Sequence, residues 1–245
     1  MTQYHKAVLS YKRPHNVEKM TEIVGSDVSW YVKEAEVDDY KKAGAKTVVS
    51  VPDDLTLVKT RNVILKEAWK KGHVCVQLDD DLKAIKRVVV LGANKIEKDI
   101  SLVDALKLIT KWLDEYKLYL GGVAPTNNAF FSNPNKPVTF QAFVRASLIV
   151  IKPCKVLFDE HQIVKHDYDY SLLHIQKYGG IIRCNDLLCS FGYGVNKGGL
   201  VEYRTPELSQ KMIRRLKEKW GSLIKDNPKR PNEILLKFKR PNKRH

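Results

Sequence analysis

Short apolar, β-branched runs alternate along the chain with longer stretches whose apolar residues recur at helical spacing. Ala7-Val8-Leu9-Ser10 and Val28-Ser29-Trp30-Tyr31-Val32 read as the first two strands. Asp38 to Ala43 reads as a short helix stopped by Gly44, a residue that tolerates the left-handed cap conformation. Thr47-Val48-Val49-Ser50-Val51 reads as a third strand, ended by Pro52. From Leu57 to Lys71 the residues Leu57, Val58, Ile64, Leu65, Ala68 and Trp69 keep a helical period up to Gly72, and His73 to Leu78 gives a fourth strand. Ser101 caps an amphipathic helix carrying Leu102, Leu106, Ile109, Trp112, Leu113 and Tyr116. Gly121 to Pro137 reads as a long surface loop, Phe140 to Ile151 as a strand, Asp167 to Tyr178 as a helix and Ile181 to Ser190 as one further strand. Thr205-Pro206-Glu207 opens the last long helix with Pro at its first position, and Ile234 to Phe238 gives a final short strand. This alternation predicts one mixed α/β domain over residues 1–245, built on a mainly parallel sheet flanked by helices.

Composition changes the picture in two places. The four cysteines, Cys75, Cys154, Cys184 and Cys189, form no CxxC pair and fall mostly in strand-like runs. They read as reduced core residues, which predicts a cytoplasmic protein. The N-terminus has no secretory signal pattern, and no apolar run reaches the ~18 residues a membrane span needs, so no membrane partner is expected. The net charge is +15, and residues 211–245 hold thirteen Lys and Arg against three Asp and Glu. Such a balance repels itself and attracts polyanions. It fits either a solvated helix face with a frayed end or a grip on nucleic acid through Lys211, Arg214, Arg215 and Lys217.

The densest chemistry is Asp79-Asp80-Asp81, directly after the fourth strand. Ligands of open parallel sheets bind outside the carboxyl ends of strands. Adjacent carboxylates repel one another unless a cation or hydrogen-bond donors compensate, and hard oxygen ligands suit Mg2+ or Mn2+. The alternative is an acidic loop in which Asp80 or Asp81 caps the following turn.

The run Thr60-Arg61-Asn62, a helix ending at Gly72 and a strand delivering Asp79-Asp80-Asp81 together resemble the core of family 2-like glycosyltransferases with the GT-A fold. The resemblance spans about residues 6–195. It implies a GT-A-type, Rossmann-like mixed sheet in which residues 1–120 mainly bind a nucleotide-sugar and residues 121–245 mainly bind the acceptor. It implies that Asp79 and Asp81 hold the divalent metal and the ribose of a UDP-sugar, with Asp80 also among the nucleotide-sugar-binding residues. It puts Ser10, Tyr11 and Arg13 around the nucleotide and Glu34 near the uracil. Phe158-Asp159-Glu160 and His166-Asp167-Tyr168-Asp169-Tyr170 resemble the family's second acidic motif, with His166 where the family commonly has Glu. Within the family, the compact size, basic tail and Asn/Pro loop are similar to phage enzymes of the TET/JBP-associated group, which decorate hydroxymethylated pyrimidines in DNA.

Single residues keep two readings each. Asp167 is the candidate general base or an ordinary helix N-cap. Arg61, near a helix N-terminus, contacts phosphate or forms a salt bridge. Tyr11 stacks on a base or packs. Lys197, in Asn196-Lys197-Gly198-Gly199, touches the diphosphate from a lid or lies in a plain loop. Other acceptors (a glycan, lipid or protein), a metal-dependent nucleotidyltransferase, and a non-catalytic nucleic-acid-binding module are the competing functions.

Overall fold

The computed structural model describes residues 2–192 and 205–238. β1 (Tyr4–Leu9), α1 (Val17–Val24), β2 (Ser29–Lys33), α2 (Val37–Lys42), β3 (Thr47–Val51), α3 (Leu57–Lys70) and β4 (Val74–Asp79) succeed one another as strand–helix units. β5 (Leu82–Leu91) and β6 (Asn94–Asp99) form an antiparallel hairpin. α4 (Leu102–Glu115), β7 (Leu120–Val123), β8 (Val138–Thr139), β9 (Leu148–Ile151), α5 (His166–Tyr178), β10 (Ile182–Cys184) and β11 (Leu187–Phe191) follow. Then come α6 (Pro206–Trp220) and the strands β12 (Ile224–Asp226) and β13 (Ile234–Leu236).

The main sheet runs in the order β3-β2-β1-β4-β9-β7-β10-β8. β3, β2, β1 and β4 are mutually parallel, β9 lies antiparallel between β4 and β7, and β8 closes the edge antiparallel to β10. The expected mixed α/β sheet is therefore present. Alternation along each strand divides the core. Val8, Trp30, Val76, Leu78 and Val150 face α1, α2 and α4, whereas Ala7, Leu9, Tyr31, Cys75 and Ile149 face α3 and α5. Leu172, on the outer side of α5, packs with Ile213, Leu216, Ile224 and Ile234, so α6 and the β12–β13 hairpin form an extra layer there. The helix starts follow the capping rule: the hydroxyls of Thr56, Ser101 and Thr205 accept from the N–H groups of Lys59, Asp104 and Leu208.

Four expectations change. The segment read as a loop from Gly121 begins inside β7, where two adjacent glycines let the strand be packed on both faces. A Cβ on Gly121 would lie 2.5 Å from Ile109 Cγ2 of α4, and one on Gly122 would lie 2.9 Å from the Leu148 carbonyl oxygen of β9. Phe140 to Ile151 is strand only over Leu148–Ile151. The earlier part is a covering loop with buried Ala142, Val144 and Ala146, tied down where Val144 N–H donates to Ser171 Oγ. Ile181 to Ser190 divides into β10 and β11, which belong to different sheets. The division falls at Asn185, whose amide donates to Lys136 O and Thr139 Oγ1, and at Asp186, which accepts from Arg87. Finally, α1 and the β5–β6 hairpin are elements additional to the expected ones.

Candidate functional site

The strand order reverses between β1 and β4: from β1 the chain steps outward to β2 and β3, and on the other side to β4. Such a switch point opens a crevice at the carboxyl ends of the strands. Here it opens into a cleft of about 1130 Å³, whose wall includes Ser10, Tyr11, Arg13, Arg61, Asp79, Asp80, Asp81 and Asp167. The residues singled out from strand ends and from the second acidic motif thus meet in one cavity.

The three aspartates have different surroundings. Asp80 is 3% exposed and acts as an anchor. It accepts from the Ser10 hydroxyl and, at 2.9 Å, from Arg13 Nη1, while Ser10 Oγ and Arg13 N–H also bond to the Tyr40 hydroxyl. Burial raises its carboxyl above the usual range, and the bonds from Ser10 and Arg13 oppose that shift. Asp79 ends β4 and accepts from Arg61 Nη2 at 3.0 Å. Asp81 stands in the turn to β5, with its carboxyl pushed up to about 6 by burial first and then by the charges of Asp79 and Asp80. Its backbone carbonyl accepts from Gly192 N–H, which pins the turn to the far side of the small sheet.

Arg61 is 1% exposed, and its guanidinium donates to Gln77 Oε1 as well as to Asp79. The structure therefore realises the salt-bridge reading of this residue, with Arg61 also in the cleft lining beside Asp79. Its neighbour Asn62 bonds both ways with the Phe158 backbone and donates to Glu160, which fastens α3 to the second acidic motif.

The donor set fits a small divalent ion. Mg2+ commonly takes one or two carboxylates and completes its shell with water and substrate phosphates. Asp79 and Asp81 flank the buried Asp80, and the repulsion that Asp79 and Asp80 exert on Asp81 is opposed by Arg13 and a backbone N–H. Among the described residues no group of three or more His, Cys, Asp and Glu side chains is arranged to hold an ion unaided, so substrate oxygens would have to contribute.

Asp167 lies in the first turn of α5 and lines the same cleft. The residue at the helix cap is Lys165, in the left-handed conformation, and no side chain caps this end. Asp167 instead accepts from the N–H of Tyr168 at 3.0 Å, so the N-cap reading does not hold. Burial raises its carboxyl, opposed by the Tyr168 N–H and by the charges of Arg145, Lys165 and Arg61. Lys165 Nζ reaches Glu233 Oε2 at 2.7 Å, a bridge joining the start of α5 to the segment just before β13. His166 places Nδ1 3.3 Å from the Ile163 carbonyl oxygen.

Several expectations land elsewhere. Glu34 is exposed on a 3-10 turn and does not line the cleft; Asp53 and Asp54, at the end of β3, take that wall together with Lys33. Strand-end logic alone would have found them, because they follow β3 directly after Pro52. Lys197 lies outside the described residues. Of the four basic residues chosen on α6, Lys211 and Arg214 are exposed, whereas Arg215 donates to Asp159 at 3.0 Å and Lys217 to Asp226 at 2.7 Å. Lys219 adds bonds to Asp159 and Asp169, and Trp220 Nε1 donates to Asp169. Much of the helix charge thus docks α6 onto the second acidic motif. Burial tends to raise the Asp159 carboxyl, yet the bonds from Arg215, Lys219 and the His161 N–H bring it down to about 2.

The cleft wall also contains residues that no motif indicated: Arg145 in the covering loop, Arg183 on β10, and Asn227, Arg230 and Leu235 from the C-terminal hairpin. No local pattern marks them, because the topology gathers them from distant parts of the chain. No family model matches the sequence, and no curated protein matches it significantly. Among the described residues no helix is long and apolar enough to cross a membrane.

Proposed function

We propose that this chain is a metal-dependent glycosyltransferase of the GT-A type that moves a sugar from a UDP-sugar to a hydroxyl group. The acceptor we favour is a 5-hydroxymethylpyrimidine in DNA. The observation that carries the reading is the meeting of Asp79, Asp80 and Asp81, at the β1/β4 switch point, with the raised carboxyl of Asp167 in one cleft.

Ser10, Tyr11 and Arg13 would border the nucleotide, and Asp79 and Asp81 would hold Mg2+ or Mn2+ against the diphosphate. The ion's contribution is to offset charge on the departing diphosphate. Asp167 would take the proton of the acceptor hydroxyl as its oxygen bonds to the anomeric carbon. The bond from that carbon to the diphosphate oxygen breaks, and its electron pair leaves with UDP. A carboxylate whose proton affinity is raised by burial suits this task better than an exposed one. The DNA acceptor is supported by the net charge of +15, by the exposed Lys211 and Arg214, and by the cations of the cleft wall.

The test combines binding and transfer. UDP-sugars with Mn2+ should raise the thermal midpoint, because a ligand that binds only the folded state stabilises it by mass action. Asp81→Ala should abolish that rise while keeping the fold. Asp167→Asn should keep the rise and lower turnover by about 10²–10⁴-fold. Label moving from the nucleotide rather than from the sugar would replace this reading with nucleotidyl transfer. Full activity in Asp81→Ala would end the metal assignment.

A further inference from the structure

The geometry points to a phosphate-binding subsite in the cleft, separate from the donor diphosphate and centred on Arg183. Arg183 sits mid-strand in β10, between Ile182 and Cys184. Those neighbours belong to the core that faces α1, α2 and α4, so strand alternation turns Arg183 to the opposite face, the one covered by α3 and α5. There it lines the same cleft as Asp79 and Asp167.

Its environment differs from that of the other arginines at the cleft floor. Arg13 and Arg61 each bond to a carboxylate, Asp80 and Asp79 respectively. Arg183 makes a 3.4 Å hydrogen bond from Nε to Asn185 Oδ1, and among the described residues no carboxylate forms an ion pair with it. Burial alone disfavours its charge. A desolvated guanidinium without an anion is costly, and one held open toward a cleft is a ready site for an anionic ligand.

The ligand class follows from charge and position. Arg145, and Arg230 within the β12–β13 turn, line the same cavity, so several cations border it where a lone carboxylate would need one. The two-pronged donor set of arginine matches phosphate oxygens well. β10 stands three strand positions from β4 in the sheet order, which is about 14 Å at ordinary strand spacing. A phosphate there is therefore not the diphosphate held near Asp79 and Asp81. Naming it the acceptor's phosphate rests on the glycosyltransferase reading; the anion site itself does not.

Isothermal titration with inorganic phosphate tests the site, with acetate as the carboxylate control. UDP is present at saturation to fill the donor half. Wild type should bind phosphate in preference to acetate. Arg183→Gln should weaken phosphate at least tenfold at an unchanged thermal midpoint, and Arg183→Lys should recover part of the loss. If Arg183→Gln does not fold, Arg183→Lys stands in, with a severalfold loss expected. Equal binding by wild type and the variant, no binding by wild type, or equal binding of acetate would each overturn the subsite.

A second titration separates the sources: a phosphate monoester sugar against a dinucleotide phosphodiester. Loss of either ligand in Arg183→Gln supports the site and names its source. A chain that transfers no sugar yet loses phosphate with Arg183→Gln still supports the subsite. A chain that transfers sugar while Arg183→Gln binds phosphate normally overturns it.

Discussion

At the scale of single residues, identical side chains in sequence carry different physics in space. Asp79, Asp80 and Asp81 are chemically equivalent as read, yet Asp80 is buried against Ser10 and Arg13, Asp79 accepts from Arg61, and Asp81 is held by neither arginine's hydrogen bonds. Sequence can place a carboxylate at a strand end; it cannot say which one of three will be buried. The same limit applies to His174, which α5 buries completely between Tyr170 and Tyr178. Neither ring nitrogen has a hydrogen-bond partner among the described residues. Burial first, and Lys177 second, push its imidazole down to about 3. The unfolded chain therefore binds a proton at this site below about pH 6.5, and the folded chain does not until near pH 3. Stability from the neutral ring is complete above pH 6.5 and is lost progressively as pH falls toward 3, on the order of 2 kcal/mol by pH 5. Denaturant midpoints at pH 7.5 and pH 5 should converge in His174→Phe relative to wild type. An undiminished acid sensitivity in the variant would reject this account.

At the scale of elements, legibility followed burial and locality. β1 to β4, α2 and α3 are readable because buried parallel strands are continuous apolar runs and both helices stop at a glycine or just before one. The β5–β6 hairpin is less so: Val88-Val89-Val90-Leu91 is an apolar run, but it ends in the exposed Val90 and Leu91, and its partner strand Asn94–Asp99 carries one apolar residue, Ile96. The turn signal at Gly92-Ala93-Asn94 is weak because no apolar run follows it. The covering loop with Ala142, Val144 and Ala146 imitated a strand because burial alternates without any ladder. Antiparallel β9 was found as a strand, but its direction is not written in its residues. The glycine pair of β7 carries a prediction at this scale. Gly122→Ala meets backbone at 2.9 Å and Val144 Cβ at 3.0 Å, and Gly121→Ala meets Ile109 Cγ2, a β-branch methyl of a fully buried side chain, at 2.5 Å. Overpacking a tight core site costs about 1–3 kcal/mol, so both variants should lose stability toward the upper end of that range. Chemical denaturation of both variants measures the loss, and a change under about 0.5 kcal/mol in either would show that the neighbouring elements yield to the added methyl.

At the scale of the molecule, the net charge of +15 is less freely available than its total implies. Arg215, Lys217 and Lys219 are paired with Asp159, Asp169 and Asp226, so the counted tail contributes fewer open cations than its sequence does. The polyanion reading then narrows to residues such as Lys211 and Arg214. Replacing those two by Gln should weaken binding to a modified duplex about equally across sequences and lower the slope of log affinity against log salt by about 2. Replacing Arg215 and Lys217 should instead lower the thermal midpoint, by loosening α6 from the acidic motif. Salt titration by fluorescence anisotropy separates the two, and an unchanged slope in the first variant would move the nucleic-acid contact off α6.

The cleft draws its floor from β1 and β4 and one of its walls from Asn227 to Leu236. During synthesis, those two portions emerge on the order of ten seconds or more apart, at the ~5–20 residues per second typical of ribosomes. A nascent chain exposes its acidic floor well before the wall arrives, and the Lys165–Glu233 bridge can form only after Glu233 has left the exit tunnel. The cleft is thereby complete only once the β12–β13 hairpin has been made.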